Sequence, residues 1–161
     1  MTNSPSYPCY VGARGWEHED WVGSFYPQDL PADWRLTYYN NFFTCCYLDY
    51  PAWAQQSEAT LMQWVADILP RFRFVLEVPA GLSEHDHARL AILAPRTGLQ
   101  DTSAGLLTSC LWLPEAPDWR ALSTQIQQRL QTPGTPCYLV SQTHAVADLQ
   151  QAMILLEILG Y

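Results

Sequence analysis

Side chains able to do chemistry gather in two short stretches of this chain. Within the seven residues from Arg14 to Asp20 stand Arg14, Glu17, His18, Glu19 and Asp20, with Trp16 and Trp21 beside them. A cleft made of these groups would take a small polar ligand, Arg14 gripping an anionic group in bidentate fashion and a tryptophan supplying an apolar wall. The same residues also suit a purely structural loop, in which Asp20 braces the turn, the tryptophans pack beneath it, and Glu17, His18 and Glu19 face water. The second stretch is His85-Asp86-His87. In an extended segment residues two apart share a face, so both imidazoles would meet one Zn, Mn or Fe ion, with Asp49 or Glu77 from nearby strand ends as carboxylate ligands. On a helix opened by Ser83 the two histidines instead diverge by about 200° and sit in solvent. His144 reads as a helix-start residue rather than a base.

Composition removes several chemistries. All eight basic residues are Arg and there is no Lys, which excludes Schiff-base chemistry, a lysine general base and a P-loop lysine. A formal charge of −8 gives nucleic acid and anionic membranes little to attract. No apolar run is long enough to span a bilayer, because Met153 to Leu159 is interrupted by Glu157 and followed by Gly160. The first residues lack a basic and an apolar leader region, so a cytoplasmic location is the expectation. The cysteines, five in number and without a Cys-x-x-Cys pair, indicate neither a disulfide framework nor a thiolate zinc site. Cys9, Cys45 and Cys46 fall in apolar strand-like runs with no histidine nearby in sequence, which favours buried thiols over a nucleophile.

Elements must position these groups. With 161 residues, 48% of them apolar and 15% charged, the chain has material for one packed domain spanning 1–161. Tyr7 to Val11 reads as a strand ended by glycines, followed by a long aromatic-rich loop from Gly15 to Ala32. Asp33 caps a helix through Trp34, Leu36, Tyr38 and Phe42, and Thr44 to Asp49 is a strand closed by Pro51. Ser57 caps a helix carrying Leu61, Trp64, Val65, Ile68 and Leu69, and Phe72 to Val78 is the third strand. Such alternation of strand and helix predicts a parallel sheet with right-handed crossovers. Ser83 to Leu93 reads as a helix and Gly105 to Leu113 as a strand, in a stretch broken by prolines. The apolar face of Trp119, Leu122, Ile126 and Leu130 predicts a further helix, then a strand at Cys137 to Val140 and a last helix from about Ala145 to Leu159.

Gly12, Gly15, Trp16, Asp20, Trp21, Gly23, Ser24, Phe25, Tyr26, Pro27, Leu30 and Pro31 together resemble the N-terminal signature of domain-of-unknown-function family 72, the YecE-like proteins. The resemblance continues through the third strand and Pro79 and returns at Tyr138 to Leu156, where Gln151-Ala152 stands in place of the common Asn-Ala. It implies a (β/α)8 barrel, a fold of about 250 residues, so this chain is expected to be a truncated TIM-barrel-like domain with a mainly parallel sheet of fewer than eight strands. The first three strand–helix units and the last one are expected to remain. Departures are equally informative. The family's acidic residue, Asn and aromatic pair after the second strand correspond here to Tyr47, Asp49 and Ala52-Trp53, and its Lys at the end of the third strand corresponds to Glu77.

Two functions follow as expectations. The first is a partial barrel without catalysis and without a cofactor, binding a small ligand through Arg14, Trp16, Glu17, His18, Asp20, Trp21, Asp49 and Glu77, and associating with itself or a protein partner where the barrel is incomplete. The second is a small metal-dependent hydrolase or isomerase, its divalent ion held by His85 and His87 with Asp49 and Glu77.

Overall fold

The computed structural model describes residues 9–102, 110–132, 134 and 136–161. Strands β1 (Cys9–Arg14), β2 (Cys45–Leu48), β3 (Arg73–Glu77), β4 (Thr97–Asp101), β5 (Leu111–Leu113) and β6 (Cys137–Ser141) form one sheet in the order β4-β3-β2-β1-β6-β5. Every pairing is parallel. Helices α1 (Arg35–Tyr39), α2 (Tyr50–Ala54), α3 (Glu58–Asp67), α4 (Glu84–Leu93), α5 (Trp119–Arg129) and α6 (Val146–Leu159) fill the crossovers. The sheet is a curled half-barrel with fewer than eight strands. In a barrel, neighbours in space are neighbours in sequence and the last strand returns to the first. That order holds here on both sides of β1, since β1 pairs with β2 and with β6.

Period-2 alternation sorts each strand into two faces. Outward-facing Val11, Ala13, Cys46, Leu48, Phe74, Leu76, Cys137 and Leu139 pack beneath the helices, on Tyr39, Trp53, Leu61, Leu93, Ile126 and Leu149. Inward-facing Tyr10, Cys45, Tyr47, Val75, Tyr138 and Val140, with Leu99 and Trp112, form a second, smaller core in the bore. The curl is tight enough for opposite strands to touch. Tyr47 of β2 meets Trp112 of β5 with ring centroids 5.1 Å apart, and a Cβ at Gly98 of β4 would collide with the Tyr138 hydroxyl from β6.

Local signals explain most of the elements. Ser57 caps α3 by accepting from the Thr60 N–H at 3.1 Å, and Ser83 with Asp86 makes a reciprocal capping box on α4. Four expectations need correction. β1 runs on past Val11 through Gly12 to Arg14, which sits at a strand end rather than in a loop. Gly12 belongs inside it, because an added Cβ would fall on the Cys45 carbonyl oxygen, where the Tyr39 hydroxyl bridges the two strands by accepting from the Ala13 N–H and donating to Cys45 O. Pro51 opens α2 rather than only closing β2, since a proline at the first helical turn lacks only an N–H that is unpaired there anyway. Asp33 caps nothing: it lies within a short 3-10 turn, Ala32–Trp34, that leads into α1, and Phe42 lies beyond that helix. β4 was not expected at all, its Thr-Gly-Leu-Gln-Asp sequence being too polar to read as a strand, so four initial strands are kept and not three. Of the strand expected at Gly105 to Leu113, residues 105–109 lie outside the described residues, as do Tyr7 and Pro8 of the first, and Leu111 to Leu113 form β5.

Candidate functional site

Inward alternation brings polar groups to the carboxyl ends of the strands. From β1 comes Arg14, from β2 Tyr47 and then Asp49, from β3 Glu77, from β4 Asp101 and from β5 Trp112. The Arg14 Nε donates to Asp49 Oδ1 at 2.7 Å, both side chains being nearly half exposed (45% and 42%). Its guanidinium carbon lies 5.6 Å from the Tyr47 ring centroid and 5.8 Å from that of Trp112, so two aromatic faces carry the cation. Asp49 raises the Arg14 pKa further, keeping it charged. Tyr47 donates its hydroxyl to Asp101 Oδ2 at 2.8 Å, and Asp101 is only 1% exposed. Burial first, and that carboxylate second, push the Tyr47 phenol up, so it stays protonated and donating. Glu77 Oε1 accepts from the Tyr50 N–H at 2.9 Å, tying the end of β3 to the first turn of α2. The Trp112 indole N–H is buried in this region without a hydrogen-bond partner among the described residues.

A second group lies on the same end of the sheet. The loop after β1 supplies His18 and Asp20, and the loop after β6 supplies His144. The imidazole rings stack at 4.1 Å with 8° between planes, and His144 Nε2 is 3.3 Å from Asp20 Oδ2. His18 Nε2 faces the carbonyl oxygens of Arg14 at 3.0 Å and Gly15 at 3.1 Å. Burial, then His144, lowers the His18 pKa. Trp21 donates its indole N–H to His144 O at 2.9 Å, fixing one loop to the other.

The residues expected to share one ligand cleft therefore separate. Arg14, Asp49 and Glu77 meet at the strand ends. His18 and Asp20 form the neighbouring group with His144, which stands just before the cap of α6. Trp21 is buried at 3% exposure as a support. Trp16 packs against Trp64 and Phe74 on the outer face, and Glu17 pairs with Arg35 at 2.9 Å. Both line a groove of about 440 Å³ on the helical layer with Leu36, Gln56, Trp64 and Asp67. His85 and His87 do not meet: α4 turns them about 200° apart on an exposed helical turn, while Asp86 between them accepts from the Tyr50 hydroxyl at 2.7 Å. The extended geometry that would have let them share an ion is absent from that segment. All five cysteines are free and buried, and burial raises the Cys45 and Cys46 thiols and pushes Cys110 up to about 12, which makes these three poor nucleophiles.

Sequence reasoning missed Tyr47 as a working donor, Asp101, Trp112 and His144. The first three become visible once the strand alternation is extended to each carboxyl end. His144 has no local signal, since its partners lie more than a hundred residues away.

No curated protein matches this sequence. A solved structure that resembles it is that of a DUF72 family protein from Thermotoga maritima, at a TM-score of 0.61 and 13% identity, covering 94% of this chain and 100% of that one. At that identity, the structural likeness shows a shared fold alone. Among the described residues no helix is long and apolar enough to cross a membrane. A family model described as "Protein of unknown function DUF72" matches residues 10–157, and the half-barrel with its N-terminal aromatic signature accordingly belongs to the DUF72 family.

Proposed function

We propose that the chain is a ligand-binding half-barrel that takes a small, neutral, polyhydroxylated molecule at the carboxyl ends of its strands. The observation that carries this reading is Arg14, half exposed, clamped by Asp49 and laid against Tyr47 and Trp112 at the polar mouth of an otherwise apolar bore. Charge narrows the ligand class. Asp49 and Glu77 lie beside Arg14, with buried Asp101 behind Tyr47, so an anion meets excess negative charge, while a simple cation leaves the remaining guanidinium N–H groups unused. Hydroxyl groups both donate to carboxylates and accept from Arg14. The carboxylates are already partnered, by Arg14, the Tyr50 N–H and Tyr47, which suits holding a ligand better than transferring protons.

Isothermal titration with a panel of aldoses and polyols, beside phosphorylated sugars and alkylamines, tests it. The expected outcome is saturable binding of a neutral polyol that is lost in Arg14→Ala. Binding confined to phosphorylated sugars or amines would overturn the reading. Self-association is the second reading, favoured by a sheet order that, among the described residues, gives β4 and β5 a neighbour on one side each. Light scattering coupled to size exclusion would show a dimer or larger species, and a monomer at all concentrations would remove it.

A further inference from the structure

His18, Asp20 and His144 offer two imidazoles and a carboxylate whose donor atoms all lie within 4.8 Å of one another. Two loops from paired strands, β1 and β6, bring them together. His144 is held there in a left-handed backbone conformation, φ 48°, which a residue with a side chain adopts at a cost, and its carbonyl is pinned by the Trp21 indole. The His18 tautomer follows from its surroundings. Both groups facing Nε2 are carbonyl oxygens, which can only accept, so Nε2 carries the proton and Nδ1 keeps a free lone pair. A ring N–H fixed on backbone carbonyls is also how metal-ligating histidines are oriented from behind.

We infer that these three residues form a binding site for a divalent first-row transition ion such as Zn²⁺ or Co²⁺. Two nitrogens and one carboxylate suit that class and are too few oxygens for Mg²⁺ or Ca²⁺. Three protein ligands leave further coordination positions to water. Imidazole lone pairs lie in the ring plane, so two stacked rings cannot both grip one ion as they stand. Loading turns the His144 ring about its Cβ–Cγ bond, for which its side chain, 40% exposed, has room, and Asp20 at 67% follows it. The site adjoins Arg14 through the carbonyl that holds His18, but the inference stands whether or not a polyol binds there.

The test uses the full chain, untagged, stripped with chelator and dialysed. Titration with Co²⁺ is followed by visible d–d absorption and displacement by Zn²⁺, with one equivalent per chain expected. Affinity should fall about 10- to 100-fold or more in His144→Ala, a range known from perturbed metal sites. Asp20→Asn, on an exposed side chain, should weaken binding with an unchanged circular dichroism spectrum and so keeps the test valid if His144→Ala fails to fold. The double variant His85→Ala/His87→Ala should bind as the parent does. The inference is overturned if the parent shows no saturable binding, if Asp20→Asn binds as the parent does, if a folded His144→Ala binds as the parent does, or if the His85/His87 variant is the one that loses the ion.

Discussion

The two ends of the bore are built from the same strands on the same inward face, yet they differ in kind. At the amino end stand Tyr10, Cys45, Val75, Leu99, Cys110 and Tyr138, all apolar or buried, with Tyr10 and Tyr138 stacked at 5.0 Å. Arg73 is the exception at that rim, and its guanidinium is engaged by the carbonyls of Pro70 and Phe72. Two or four residues further along the same strands come Arg14, Tyr47, Asp49, Glu77, Asp101 and Trp112. Strands β1 to β5 thus pass from apolar to polar in one or two steps of their alternation, while β6 keeps Val140 on the inward face. The lesson is one of division: the amino end closes the half-barrel, and the carboxyl end, relieved of that duty, carries groups that would weaken a core.

Substitutions at the two ends should therefore separate stability from binding. The largest effect is expected for Tyr138→Ala, which removes a buried ring from the amino end and should cost about 3–5 kcal/mol in urea denaturation. A cost below ~1 kcal/mol would break the comparison. Gly98→Ala should cost about 1–3 kcal/mol by overpacking, because the added methyl collides with the Tyr138 hydroxyl. Combining it with Tyr138→Phe should restore part of that loss, and simple additivity of the two changes would show that they do not meet. Tyr47→Phe takes a donor from buried Asp101 and should cost about 1–2 kcal/mol, intermediate because the residue spans both ends. Arg14→Ala should change stability by less than about 1 kcal/mol, as befits a half-exposed pair, while abolishing polyol binding. The smallest expected effect is a pH dependence from His18. Its pKa lies below the ordinary 6.5, so the unfolded chain takes up a proton that the folded chain resists. Stability is then complete above pH 6.5 and declines as pH falls from there toward the lowered native value. Thermal melts across that range should show the decline in the parent and a flatter profile in His18→Gln.

Much of the scaffold was legible because its signals are local. Ser57 and Ser83 mark the starts of α3 and α4, and the apolar runs at Cys45–Leu48, Arg73–Glu77 and Cys137–Ser141 are strands buried on both faces, which read as continuous hydrophobic stretches. β4 escaped because an edge strand with one neighbour alternates in burial and tolerates Gly and Gln. The candidate site was half legible. Asp49 and Glu77 stood out as polar residues at strand ends, and Arg14, His18 and Asp20 as part of a dense loop. Trp16 and Glu17 share that loop, but the turn at Gly15, φ 81°, and the short helix at Glu19–Trp21 send them to the outer face.

The amino-acid sequence by itself determined the alternation of strand and helix, the family signature, the absence of lysine chemistry and the pairing of polar residues with strand ends. These are properties of neighbours in the chain: periodicity, capping, turn residues and composition. Only the tertiary structure decided which polar residues meet. Tyr47 finds Asp101 across 54 positions, Trp21 finds the His144 carbonyl across 123, and His85 and His87, adjacent but for one residue, are turned apart. The reason is geometric. A helix fixes the angle between close neighbours whatever their chemistry, while a curling parallel sheet brings distant strand ends to one rim, at distances that no local pattern encodes.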